Sequence, residues 1–361
     1  MPTIRSIKDI ITAAGLTTGL KICLDAADSS SYSGSGDTFS DVSGNANHFR
    51  RGQVAGSDSA DPTFNGSAGG LSASEYFSFD GGDNLTLVGS NPLQSFHKDN
   101  AKGTVLFGLY PVQSGVFISI IGDNVFSVDL GFRVQIHQTA ARLIFATGNG
   151  SANPIVAISA SVAVPNSAWS IDGVSFDEAV GANGGFHFVN GAVELFNSTA
   201  TSPSASNSAG WLCVSGNEGA TASNRFLNGS RLAWIAVWEG VALTQAQVQA
   251  IYSEAGLRFG LTAGGDAALS CTSSLTAVGS AMAYGSASLS GSGSLTCTAA
   301  GAPEAAEEPI HPIASLPIAA PDEPVVAEAE DLLRLNTSAV IDLGYLVELR
   351  PFAPAGTSLP A

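Results

Sequence analysis

Residues 126–136 alternate without a break. Phe126, Val128, Leu130, Phe132, Val134 and Ile136 are apolar, and Ser127, Asp129, Gly131, Arg133 and Gln135 separate them. In an extended chain a period of two sends all six apolar side chains to one face. Such a strand has one dry and one wet side, which suits an antiparallel sheet packed on a second layer. Further strands are expected at 104–110, 116–121, 141–146, 155–162, 169–176, 185–189, 193–196, 211–215 and 231–238, with Gly and Asn between them. No long helix intervenes to carry a parallel crossover. The span from about 20 to 243 therefore reads as an all-β, two-sheet antiparallel sandwich.

Two short helices flank it. Ile4, Ile7, Ile11 and Ala14 recur at helical spacing before Gly15. This first helix is too short to stand alone and needs a surface to dock on. The second is signalled at 244–255: Thr244 and Gln247 match a capping box, and Val248, Ile251, Tyr252 and Ala255 form one apolar stripe up to Gly256. Leu232, Trp234, Ala236 and Trp238 alternate with Ala233, Ile235 and Val237. A strand apolar on both faces is covered on both, and the second helix supplies part of that cover.

Beyond residue 262 the character changes. LSCTSSLTAVG at 269–279 is echoed by LSGSGSLTCTAAG at 289–301, a Ser/Thr/Gly repeat of two copies. Residues 302–331 carry eight acidic residues, no Lys or Arg, and many Pro and Ala, as expected of an extended linker. Residues 332–352 are apolar again. The expected division is a docking segment at 1–19, the sandwich at 20–262, the repeat at 263–301, the Pro/Glu-rich linker at 302–331 and an apolar docking segment at 332–361.

The balance of 14 basic against 31 acidic residues gives a formal charge of −17. Such a surface repels phosphate backbones and anionic lipid, so nucleic-acid binding and membrane insertion are not expected. No stretch reads as an export signal or a membrane span. Cys23, Cys213, Cys271 and Cys297 form no CxxC, and the first two are expected as buried free thiols.

Catalytic patterns are sparse. There is no G-x-S-x-G, HExxH, phosphate loop or E-x-D-x-x-E. Asp172, Asp177 and Glu178 are the nearest carboxylate cluster, but Asp172 and Asp177 fall on opposite faces of a strand. His137 and His187 are expected to be structural. No catalytic residue is assigned. Asp80, Asp83 and Asn84 in a Gly-rich turn offer hard oxygen ligands for Ca²⁺, or else Asx-type turn bonds. Trp211 and Trp234 read as core aromatics, with stacking on sugars as the alternative.

In order, LKICLDAADSSSYSGSGDTFSDVSGNANHF at 20–49, YFSFDGGDNLTL at 76–87, Trp169 with GFHFVNGAV at 185–193, and FLNGSRLAWIAVWEGVALTQAQVQAIYSEAG at 226–256 resemble the LamG-like, concanavalin-type jelly roll. Phe39 stands where that family usually has Trp. The resemblance implies a jelly roll over about two thirds of the chain. The opening segment, the Ser/Thr/Gly repeat after the sandwich and the lack of a readable export signal look like bacteriophage and prophage virion proteins that carry this domain. The implied function is a non-enzymatic virion structural protein, made in the host cytoplasm and displayed on capsid or tail, that adheres to surface glycans. Its expected partners are other virion proteins, met through the N- and C-terminal segments, and further copies of itself. The alternatives are a bacterial cell-surface or secreted carbohydrate-binding protein and, behind it, a glycoside hydrolase.

Overall fold

A computed structural model describes residues 3–123, 129–138, 140–208, 210–216 and 224–261, together with the backbone of two short strands at Gly293–Leu295 and Ile341–Leu343. The chain divides into two compact units, Met1–Gly265 and Asp266–Ala361.

The first unit holds helix α1 (Ile7–Ala13) and then sixteen strands: β1 (Leu20–Asp25), β2 (Thr38–Phe39), β3 (Phe49–Arg51), β4 (Thr63–Asn65), β5 (Tyr76–Ser78), β6 (Leu85–Leu87), β7 (Lys102–Tyr110), β8 (Ile118–Gly122), β9 (Leu130–Ile136), β10 (Arg142–Asn149), β11 (Val156–Ala163), β12 (Ser170–Asp177), β13 (Gly185–Val189), β14 (Ala192–Phe196), β15 (Cys213–Val214) and β16 (Arg231–Glu239). Helix α2 (Gln245–Ala255) closes it. One sheet has the order β14-β13-β12-β7-β16-β5-β4, with β1 also paired to β16; the other runs β11-β10-β9-β8-β15-β6-β3-β2. All strand pairs are antiparallel, as in the expected jelly-roll sandwich.

Two cores follow. Between the sheets, Phe132, Val134, Ile136, Phe107, Phe145, Phe176 and Phe77 are fully buried. This places the dry side of the alternating strand where its period demands; Phe126 and Val128 lie outside the described residues. The second core covers the outer face of the first sheet. There Trp234, Trp238, Phe188 and Ile171 meet Ile7, Ile10 and Ile11 of α1 and Val248, Ile251 and Tyr252 of α2. Trp234 lies over Gly108, its cross-strand partner, where any Cβ would run into the indole. Trp238 Nε1 donates to the Leu16 carbonyl at 2.7 Å.

The expectation that residues 1–19 dock on another protein is corrected here. Ser6 caps α1 by accepting from Asp9 N–H, and the three isoleucines of the helix pack on this same domain. Trp238 and Tyr252 supply the apolar surface that a short helix needs. The sandwich unit therefore begins with the N-terminal segment and not at residue 20.

Two local features also depart from the alternation. A bulge between Leu232 and Trp234 shifts the register of β16, so Leu232 joins Ile235 and Val237 in the inter-sheet core instead of lining up with Trp234. After α2, with its capping box at Thr244 and Gln247, the chain does not stop at Gly256. It continues as a 3-10 turn over Gly256–Phe259 and reverses at Gly260, whose φ is +67°.

In the second unit, Gly293–Leu295 pairs antiparallel with Ile341–Leu343. The repeat at 263–301, the linker at 302–331 and the segment at 332–361 otherwise lie outside the described residues, as do Cys271 and Cys297. Cys23 and Cys213 are buried free thiols.

Candidate functional site

Among the described residues, no helix lies over the outer face of the second sheet. Phe49 points into the core, so its neighbour Arg50 points outward. Arg50 pairs with Thr86, Thr86 with Cys213, Cys213 with Gly122, and Gly122 with Arg133, forming one outward row across five strands. Just before β15, Leu212 and Val214 belong to the inter-sheet core, which turns Trp211 the other way.

Trp211 is 60% exposed, the largest exposed side chain among the described residues. It borders a cleft of about 430 Å³ lined also by Arg50, Thr86, Ser90, Asn91, Gln94 and Ser208. The reading of Trp211 as a core aromatic is thereby corrected, while Trp234 is fully buried as expected. All four residues of Trp211-Leu212-Cys213-Val214 are apolar, so the period of two could not decide which pair faced inward.

Asp123 braces the cleft from below. It is 1% exposed. Its Oδ1 accepts from Phe132 N–H at 2.8 Å, and its Oδ2 accepts from Asn91 Nδ2 at 2.5 Å. Asn91 Oδ1 in turn accepts from Leu93 N–H at 2.9 Å. Gly210 presses on the Asp123 carbonyl so closely that no Cβ fits between them. Burial pushes the Asp123 carboxyl up to about 7, against the lowering effect of these donors. No sequence motif marks Arg50, Asn91, Gln94 or Asp123. Their shared location appears only when β3, β6, β8 and β15 come together.

The other candidates are placed differently. Asp80 and Asp83 line a separate cavity of about 350 Å³ with Asp58 and Asp61. Asp83 Oδ2 accepts from Asp80 N–H at 2.8 Å, and Asp80 Oδ1 accepts from Gly82 N–H at 2.7 Å. Burial first, and then the charge of Asp80, raise the Asp83 carboxyl to about 6. Asn84 does not line this cavity; its amide donates to Thr86 Oγ1 at 3.2 Å. The expected Ca²⁺ trio of Asp80, Asp83 and Asn84 is therefore not assembled, because successive residues of an extended chain point to opposite sides. Among the described residues, no group of three or more His, Cys, Asp and Glu side chains is arranged to hold a metal ion.

Asp172 lies inside the sandwich, where Ser170 Oγ donates to it at 2.6 Å and burial raises its carboxyl to about 7. Asp177 pairs with Lys102 at 2.7 Å. Glu178 accepts from Asn100 N–H at 2.7 Å and from Ala200 N–H at 3.1 Å. These three carboxylates face no common cavity among those described. His187 is fully buried against Phe196, and burial lowers it to about 4. His137 makes an edge contact with Phe117. Among the described residues no helix is long and apolar enough to cross a membrane.

No protein-family model matches the chain, and no curated protein matches it. Solved structures do align with it. The binding domain of botulinum neurotoxin serotype D aligns at a TM-score of 0.43 and 10% identity, over 66% of this chain and 52% of that one. Domain 4 of AbnA, an extracellular GH43 arabinanase from Geobacillus stearothermophilus in complex with arabinotriose, aligns at 0.43 and 14%, over 64% and 98%. The Trypanosoma rangeli sialidase in complex with the inhibitor DANA aligns at 0.41 and 10%, over 65% and 33%. The chain thus spans about half of the toxin domain and a third of the sialidase. What the Trp211 cleft can hold is set by its own residues.

Proposed function

We propose that this chain is a non-catalytic glycan-binding protein whose sugar site is the Trp211 cleft. The observation that carries the proposal is the exposed indole at the wall of a polar-lined cleft. A pyranose ring presents an apolar C–H face and a rim of hydroxyls. An aromatic plane accepts the face, and side-chain amides and hydroxyls such as those of Gln94 and Ser90 meet the rim. Adhesion is favoured over hydrolysis because no carboxylate is among the residues lining the cleft, whereas glycosidases need two carboxyl groups beside the bond they cut.

The proposed setting is display on a phage particle. Its support is the opening segment and the Ser/Thr/Gly repeat after the sandwich, which look like those of virion proteins that carry LamG-like domains. In that setting the chain beyond residue 262 serves as the tether. The test is a glycan array probed with wild-type protein and Trp211→Ala. Binding that disappears in the variant supports the cleft. Equal binding by both proteins rejects it. Release of reducing sugar by the wild type rejects the non-catalytic part.

A further inference from the structure

We infer that the Trp211 cleft selects a carboxylate-bearing sugar, a uronate or a sialate, and that Arg50 reads the carboxylate. This rests on the glycan reading of the same cleft. Arg50 is the one charged side chain among the residues lining it. It is half-buried, and its Nε is buried with no hydrogen-bond partner. It makes no salt bridge among the described residues.

What sets Arg50 apart from the other cations among the described residues is that buried, unpartnered Nε. Acidic residues outnumber basic ones 31 to 14, so carboxylate partners are plentiful. Arg5 has Glu254, Lys102 has Asp177 and Arg258 has Asp25. Arg50 instead lines a cleft that has no carboxylate among its lining residues. A buried donor left unpaired is costly, and a ligand acceptor relieves that cost. The guanidinium offers a planar fork that fits a carboxylate side-on, and the fit adds direction as well as attraction. Trp211 beside it provides the plane on which the sugar ring that bears the carboxylate can rest.

The acidic surface sharpens the point. A protein with a formal charge of −17 repels a polyanion at long range, so a preference for acidic sugars cannot come from its average field. It must come from a local contact.

The experiment is calorimetric titration of the full chain with oligogalacturonate, with α2,8-linked sialic acid oligomers, and with the carboxyl-reduced form of each. Wild type should bind the acidic form of one of the two at least tenfold more tightly than its reduced form, and the series that responds identifies uronate or sialate. Arg50→Gln should bring that ratio close to one while still binding the reduced form, and Arg50→Lys should keep part of the preference. Thermal melts confirm that both variants are folded. Equal wild-type affinity for acidic and reduced forms overturns the inference and leaves the glycan reading standing. A preference that survives in Arg50→Gln overturns the role of Arg50. If wild type binds neither form of either series, and the array is also blank, the glycan reading falls and takes this inference with it.

Discussion

Arg258 and Asp25, 233 positions apart in the chain, form a two-pronged ion pair at 2.7 Å and 2.7 Å, with both side chains almost fully buried. Asp25 Oδ2 also accepts from Ile7 N–H at 2.9 Å, and Arg258 donates to the Arg5 carbonyl at 3.3 Å. One pair thus joins the first strand, the start of α1 and the 3-10 turn after α2. Removing either partner leaves the other charge buried and uncompensated.

Arg258→Ala should therefore cost about 3–5 kcal/mol of unfolding free energy. Urea unfolding checks this. The double variant Arg258→Ala with Asp25→Asn should lose less than the sum of the two single losses, since the partners share one interaction. Additive losses would contradict the coupling.

Stability should also respond to Asp172 as pH changes. Its folded carboxyl is raised to about 7 by burial, so the folded state holds the proton more tightly than the unfolded chain does. That contribution is fully present below the unfolded value near 4 and is lost as pH rises through about 7. Asp172→Asn should remove the decline, making the variant more stable than wild type at pH 8 by up to about 4 kcal/mol. Melting temperatures of both proteins should diverge from about pH 4 up to about pH 7 and run parallel above it; curves parallel throughout would count against a raised Asp172. His187 acts in the opposite direction. Lowered to about 4, it stabilises at high pH and loses that contribution as pH falls from its unfolded value near 6.5 through about 4.

Two tryptophans should behave differently. Trp234→Ala empties a fully buried site and should cost about 3–5 kcal/mol. Trp211→Ala removes an exposed ring and should change stability by less than about 0.5 kcal/mol while abolishing retention on a glycan column. A large melting shift for Trp211→Ala would mean that its ring has a structural role.

Deleting residues 1–15 strips Ile7, Ile10 and Ile11 from the outer core and removes the helix start that Asp25 holds. The melting temperature should fall sharply. A chain ending at Gly265 should keep the wild-type transition, because the unit from Met1 to Gly265 contains both cores.

The strands were legible because period two leaves a mark at nearly every position, and α2 was legible from Thr244, Gln247 and its stripe. Three things were not. The bulge beside Leu232 inserts one residue into an otherwise unbroken apolar run, and nothing in R-L-A-W-I-A-V-W signals where it falls. The docking surface of α1 is assembled from β16 and α2, more than 200 residues downstream, so local pattern marked the helix but not its partner. The cleft combines Arg50, Asn91 and Trp211, each ordinary in its own segment. Its chemistry arises from cross-strand register, Arg50 with Thr86 and Thr86 with Cys213, which no single segment contains. The opening motif was recognisable, yet its residues serve the frame: Asp41 accepts from Cys23 N–H at 2.8 Å, and Asn47 donates to the Lys21 carbonyl at 2.7 Å.

The two faces of the sandwich are unequal, and this sets how the domain meets its surroundings. Both helices lie on the first sheet, and Phe259 and Leu261, the last described residues of the unit to touch a core, pack there as well. The Trp211 cleft opens on the opposite sheet. The last described residues of the unit and the Trp211 cleft therefore lie on opposite faces of the sandwich. In the role proposed above, copies displayed side by side would each turn this face outward, and weak single contacts would add up to firm attachment.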